Sequence, residues 1–199
     1  MTWFALPSRR RAMALFLAVA TSAALLPLSA SAQAAAPRVK LTTSAGDIVV
    51  EVYPDKAPKT VENFLQYVQD KHYEGTVFHR VISDFMVQGG GFTADLKQKP
   101  TRPPVPLEAN NGLKNDRGAI AMARTSNPNS ATSQFFINTV NNANLNAPNP
   151  DGYGYTVFGK VVSGLDILDK IRATPVGDQG MHQNVPKTPI TILKATLEK

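Results

Sequence analysis

Helical periodicity occurs at only two places in this chain, and most of the sequence around them reads as short β-rich runs. Val61, Phe64, Leu65 and Val68 recur at helical spacing once Pro54 and Pro58 have broken the preceding strand. They predict a helix over about residues 60–70, with Thr60 as its cap. Leu165, Leu168 and Ile171 share one face of a second helix, opened by Ser163-Gly164-Leu165-Asp166. The predicted strands are Arg38–Thr43, Ile48–Tyr53, Thr76–Ile82, Phe85–Gln88, Gly118–Ala123, Gln134–Thr139, Tyr155–Val161 and Thr188–Leu197. The first two make a hairpin across Ser44-Ala45-Gly46-Asp47. Pro100, Pro103, Pro104 and Pro106 make their stretch a surface loop with at most a short strand near Leu107, and Asn141–Pro150 reads as another loop. Helices set between strand blocks, rather than after every strand, exclude a doubly wound parallel sheet. The pattern predicts a mainly β fold, an antiparallel barrel or sandwich with two accessory helices.

Residues 1–32 do not belong to that pattern. Arg9, Arg10 and Arg11 precede an uncharged run of 17 residues, Ala12–Leu28, and the small residues Ser29-Ala30-Ser31-Ala32 follow. Basic head, apolar middle and small-residue exit are the parts of a secretory signal peptide, with cleavage expected after Ala32 or Ala34. The run is at the short end for a membrane span and is broken by Pro27. The expected division is therefore a leader, 1–32, and one domain, 33–199. The whole chain carries 21 Lys+Arg against 15 Asp+Glu, a formal charge of +6. Removing the leader takes three arginines and no acid, leaving 18 against 15, or +3. Much of the basic excess thus belongs to the leader, which argues against a nucleic-acid binder. The domain holds no run long and apolar enough to span a membrane.

Several chemistries are excluded outright. There is no cysteine, which rules out disulfides, iron–sulfur clusters and thiol catalysis. His72, His79 and His182 have no partner at metal-ligand spacing, so no metal site is expected. Gly89-Gly90-Gly91 is followed by no Gly-Lys-Ser/Thr and opens no helix, so it reads as a turn. No serine sits in a Gly-x-Ser-x-Gly elbow. Arginine and glutamine among hydrophobes remain. Strand period two gives Phe78 and Arg80 one face, Met86 and Gln88 another, and Gln134 and Phe136 a third.

Three blocks carry this pattern: Phe78-His79-Arg80-Val81-Ile82-Ser83-Asp84-Phe85-Met86-Val87-Gln88-Gly89-Gly90, the Ala121–Ile137 segment AMARTSNPNSATSQFFI, and the Tyr155–Gly164 segment YTVFGKVVSG. In that order and spacing the chain resembles the cyclophilin family of peptidyl-prolyl cis–trans isomerases, over essentially the whole of residues 33–199. With the leader it resembles the periplasmic bacterial form. The resemblance implies a closed eight-stranded antiparallel β-barrel capped by two α-helices, with a filled interior and the substrate groove outside. It implies Arg80 as the catalytic arginine and Phe85, Met86, Phe136 and Leu145 as the proline pocket. Gln88, Arg124 and Gln134 become the polar groove, Ala123 supplies backbone for an extended peptide, and Tyr155 an aromatic wall. Asn144 stands where the family's commonest pattern has a tryptophan, so weak cyclosporin binding is expected. The implied partners are proline-containing unfolded or extended polypeptides in the periplasm. The implied enzyme is a monomer and needs no cofactor. A periplasmic chaperone that merely holds unfolded chains is the competing reading, and such a holder has no need of Arg80.

Overall fold

Alternation of apolar and polar residues in Arg38–Val52 buries every second side chain and lays down the first hairpin. In the computed structural model, which describes residues 36–198, β1 (Arg38–Thr43) pairs antiparallel with β2 (Gly46–Val52). Val39, Leu41, Ile48, Val50 and Val52 all point inward and are fully buried. The turn is held by Thr43, whose hydroxyl donates to the Gly46 carbonyl at 2.6 Å and accepts from the Ala45 N–H at 3.1 Å. The expected leader, residues 1–32, lies outside the described residues.

Beyond the hairpin come α1 (Pro58–Gln69), β3 (Arg80–Ile82), β4 (Met86–Gly89), β5 (Ala119–Met122) and β6 (Phe135–Asn138). A single 3-10 turn (Ala143–Leu145) leads to β7 (Val157–Ser163), α2 (Leu165–Arg172), β8 (Val176–Gln179), β9 (His182–Pro186) and β10 (Ile192–Glu198). Eight strands form one antiparallel sheet in the order β10-β1-β2-β7-β5-β6-β4-β3, and β8 pairs only with β9. The sequence pattern missed that second hairpin, whose half-exposed strands carry no strong alternation.

The fold is mainly β with two helices, as expected, but the sheet is a curled half-barrel rather than a closed barrel. Its ends, β3 and β10, are not laddered to each other. The gap is crossed by the isolated bridge Val77–Thr191 and by bonds such as Phe78 N–H to Ile190 O at 3.0 Å. The physical reason is local. The expected strand from Thr76 loses its regular path at 78–79, leaving β3 three residues long.

The interior is filled. Phe64 on α1 packs with ring centroids 5.1 Å from Phe158, 5.3 Å from Tyr73 and 5.9 Å from Phe135. Each such tilted or edge-on pair contributes about 0.5–1.5 kcal/mol beyond its burial. A lumen for a stored ligand does not exist among these side chains.

Thr60 is not the cap of α1. The helix starts at Pro58, whose missing N–H is no loss at that position, and Ala57 provides no side-chain cap. Glu108, 48 residues away, takes the role instead. Its carboxylate accepts the Lys59 N–H at 3.1 Å, the Thr60 N–H at 2.9 Å and the Thr60 hydroxyl at 2.7 Å. An anion at a helix N-terminus also meets the positive end of the macrodipole. For α2, Leu168 and Ile171 are buried as expected, whereas Leu165 is exposed. Gly164 precedes it at φ 89°, where a Cβ would run into the Asp47 carbonyl. Because a single distant carboxylate satisfies both the first N–H groups of α1, Glu108→Ala should destabilise the domain by about 1–2 kcal/mol. Urea unfolding should show a lower midpoint at unchanged slope.

Candidate functional site

Strands β4, β5 and β6 are apolar on both faces, and the two faces do different things. Val87, Ile120, Met122, Phe135 and Ile137 point into the main core. Met86, Ala119, Ala121 and Phe136 point outward and join Leu145 and Val157 in a second, smaller cluster. Phe85, Ala123 and Tyr155 pack against that cluster from its margin. Register aligns the outward residues. Arg80 on β3 pairs with Gln88 on β4, Gln88 with Phe136 on β6, Phe136 with Ala121 on β5, and Ala121 with Val157 on β7. A cation, an amide, an aromatic ring and small apolar groups therefore lie in one row across the sheet.

Beside that row lies a hollow of about 120 Å³, lined by Arg80, Phe85, Met86, Gln88, Ala123, Arg124, Phe136, Leu145 and Tyr155. Pockets for drug-sized molecules are typically about 300–1,000 Å³, so this one fits a single side chain. Gln134 is the one expected site residue outside that lining. It borders an adjoining trough of about 370 Å³ with Gln98, Thr101, Thr125, Ser130 and Thr132, and Gln88, Ala123 and Arg124 line both. Phe78 does not share the face of Arg80: it is fully buried in the core, because the irregular residues 78–79 break the period of two.

The two arginines of the hollow differ sharply. Arg80 makes one long contact, Nη1 to Gln88 Oε1 at 3.5 Å, and meets no carboxylate within ion-pair distance among the described residues. Gln88 in turn donates to Gln134 Oε1 at 3.0 Å, so its amide orientation is fixed. Gly91 allows this, since a Cβ there would collide with the Gln134 side chain. Arg124 is engaged on every side, with Nε and Nη2 donating to Gly154 O at 3.1 and 2.8 Å, Nη2 to Asp151 Oδ1 at 2.9 Å, and Nη1 to Thr125 O at 3.0 Å. The Ala123 N–H donates to Gln134 O at 3.0 Å, so of its two backbone groups the carbonyl is the one left to an added strand.

Behind the hollow lies a buried amide relay that no sequence pattern signalled. Asn142 Nδ2 donates to the Phe85 carbonyl and to Asn138 Oδ1, each at 2.7 Å. Asn138 donates to Asn115 Oδ1 and Ala119 O, and Asn115 to Leu145 O, all at 3.2 Å. All three asparagines are buried. The relay ties Phe85 and Leu145, two walls of the hollow, to strands β5 and β6. Its members are scattered over the sequence: Asn138 falls in a predicted strand and Asn142 in the Asn-rich loop, so no spacing connects them.

His79, next to Arg80, is 4% exposed and its Nδ1 has no partner among the described residues. Its ring lies 4.7 Å from Phe92 and 6.5 Å from His182, 103 residues away in sequence. Burial first, then His182 and Arg80, push its pKa down to about 4.

The chain is similar to known proteins over the residues that carry this site. The sequence model of the family described as cyclophilin type peptidyl-prolyl cis-trans isomerase/CLD matches residues 38–197. Peptidyl-prolyl cis-trans isomerase cyp18 of Streptomyces antibioticus is 55% identical over 161 residues, covering 80% of this chain and 97% of its own. Peptidyl-prolyl cis-trans isomerase A of Dickeya dadantii is 50% identical over 190 residues, covering 96% and 98%. A crystal structure of a Cryptosporidium parvum cyclophilin type isomerase superposes with a TM-score of 0.68 at 28% identity, covering 82% of this chain and 98% of that one.

The buried histidine has a measurable consequence. An unfolded histidine takes its proton near 6.5, whereas His79 in the fold resists until about 4. Between these values the unfolded state binds the extra proton, so stability falls as pH drops through the window and levels off below it. The loss is on the order of 3 kcal/mol. In urea unfolding at a series of pH values, His79→Gln should remove the larger part of the slope between pH 6.5 and 4.5. His72, also lowered by burial, keeps its own share in both chains.

Proposed function

Since the chain belongs to the cyclophilin-type peptidyl-prolyl cis–trans isomerases, we propose that it turns X–Pro bonds in exported polypeptides, with Arg80 as the catalytic residue. An X–Pro amide resists rotation by about 18–20 kcal/mol, because resonance holds the C–N bond planar. At the twisted transition state that resonance is lost and the prolyl nitrogen regains its lone pair. A donor aimed at this nitrogen binds the transition state better than either planar form, which is what catalysis requires. No covalent bond breaks and no proton moves, so the reaction calls for no nucleophile or cofactor.

The observation that carries the assignment is the contrast between the arginines: Arg124 has four of its five N–H donors engaged, while Arg80 has one contact at 3.5 Å. A permanently charged planar fork with free donors, at the edge of a hollow sized for one side chain, suits the prolyl nitrogen. Phe85, Met86, Phe136, Leu145 and Tyr155 would grip the ring while the preceding carbonyl swings. Gln88 and Gln134 would hold the peptide backbone beside the Ala123–Arg124 segment. The apolar side of the hollow, formed by Phe85, Met86, Phe136 and Leu145, favours the less charge-separated twisted amide. Asn144 is exposed beside Leu145 and lacks the broad apolar surface of a tryptophan, which supports weak cyclosporin binding.

Residues 1–32 would act as the export leader, releasing a monomeric enzyme into the periplasm. The family match starts at residue 38, and the Streptomyces relative is covered over 97% of its length by 80% of this chain. The family domain thus stands without the N-terminal segment. No helix among the described residues is long and apolar enough to cross a membrane. Intact-mass measurement of the protein recovered from a periplasmic extract should give a chain beginning at Gln33 or Ala35. An uncleaved chain held in the membrane would overturn the export reading.

Removing one preorganised transition-state donor costs about 2.7–4 kcal/mol, or 10²–10³ in kcat. Arg80→Ala should lose that much turnover in a protease-coupled assay on a proline tetrapeptide, with an unchanged melting temperature. Full turnover in Arg80→Ala would remove Arg80 from the mechanism. In the same assay wild type should need far more cyclosporin for inhibition than Asn144→Trp.

A further inference from the structure

Arg124 lines the hollow, yet its side chain is only 2% exposed. A charge so nearly desolvated is retained at a cost unless it is fully paired. Here four of its five donors are paired, three of them with the loop that leads into β7. Gly154 O receives both Nε and Nη2, Asp151 Oδ1 receives Nη2, and Thr125 O receives Nη1. Gly154 sits at φ 74° with a Cβ position overlapping the backbone of Ala147, so the loop is packed tightly enough to present that carbonyl. Asp151 is shared, because its Oδ1 also accepts the Tyr153 N–H at 3.2 Å.

The next residue along this loop is Tyr155. The Arg124 guanidinium carbon lies 4.4 Å from the Tyr155 ring centroid, over the ring. Phe136 meets the same ring edge-on, with centroids 5.7 Å apart and planes at 80°. The Tyr155 N–H donates to Leu145 O at 3.0 Å. Tyr155 is thus held through its face by Arg124, through its edge by Phe136 and through its backbone by Leu145. All four residues line the hollow, and Arg124 is the one whose donors are largely taken up within the protein.

We infer that Arg124 is a positioning residue of the isomerase, acting through Tyr155 to fix the aromatic wall of the prolyl pocket and donating nothing to the peptide from its guanidinium. This rests on the hollow being the prolyl pocket. A wall contacts the ring equally in the planar and twisted states, so loosening it weakens ground-state and transition-state binding together. The signature is a raised KM at nearly constant kcat. Arg80 has the opposite signature, since its donor meets the prolyl nitrogen fully only in the twisted state. The two arginines of one pocket are therefore separable by kinetics.

The decisive experiment is a double-mutant cycle on KM, using the full domain and a proline tetrapeptide. Arg124→Gln should raise KM about threefold to tenfold with kcat within twofold, the scale of a desolvated cation–π contact. In a Tyr155→Leu background the same substitution should change KM by less than twofold, because the ring it acts through is gone. Arg124→Lys keeps a charge beside Asp151 but not the planar fork. It is run through the same cycle as the variant that preserves the fold, and should behave like Arg124→Gln. Equal effects of Arg124 substitution with and without Tyr155 would overturn the inference and return Arg124 to direct substrate contact. So would a loss confined to kcat. Failure of the wild-type domain to isomerise the peptide at all would instead remove the reading of the pocket on which this one rests.

Discussion

The outer face of β4, β5 and β6 is apolar although the inner face already has a complete core, and the rest of the molecule follows from that. A half-buried strand alternates; these strands do not, because both faces are covered. The inner side is satisfied by Phe64 packing edge-on against Phe135 and tilted against Phe158 inside the curled sheet. The outer side is covered only in part, and the hollow stays open beside Ala123. Register locks this arrangement, because a slip of one residue between β4 and β6 would exchange the faces and drive Gln88 into the core. An exposed hollow of fixed shape is thus a by-product of solving the core first.

The site is also held from behind, on two sides and by different physics. The amide relay through Asn115, Asn138 and Asn142 anchors the carbonyls of Phe85 and Leu145. Buried polar networks of this kind rigidify only when every member is satisfied, and each of these side-chain amides finds partners. The opposite wall depends on Arg124 and its loop. What lies between is free to accept a ring without rearranging, which suits a reaction whose only substrate motion is rotation about one bond.

How far the sequence reveals all this depends on the range of the interactions. Strand and helix positions are largely legible because alternation and helical spacing are local. All three blocks that resemble the cyclophilins come together, and nine of the ten expected site residues line one hollow. The errors are non-local. Glu108 replaces Thr60 at the start of α1 from 48 residues away, and nothing near either residue announces it. Phe78 and Arg80 part company because two irregular residues spoil the count. Barrel closure fails at the short β3, where the predicted strand from Thr76 is interrupted. The β8–β9 hairpin brings His182 beside His79 across 103 residues, and weak alternation hides it.

The arginines show most clearly why residue type in a motif is insufficient. In sequence, Arg80 and Arg124 are each a charge among hydrophobes, and both reach the same hollow. Their difference lies wholly in what surrounds the guanidinium. A fork with four donors engaged by three carbonyl or carboxylate groups can brace a structure, but to reach a substrate nitrogen it would have to break bonds it already has. A fork held by one 3.5 Å contact has donors to offer, and reorganises little in doing so. Preorganised donors act most strongly where water is excluded and competing partners are absent. Arg80 meets the second condition at the edge of the hollow, with Gln88 beside it and no carboxylate to neutralise it among the described residues. The chemistry of the site is therefore decided less by which charges are present than by which one the fold has left unsatisfied.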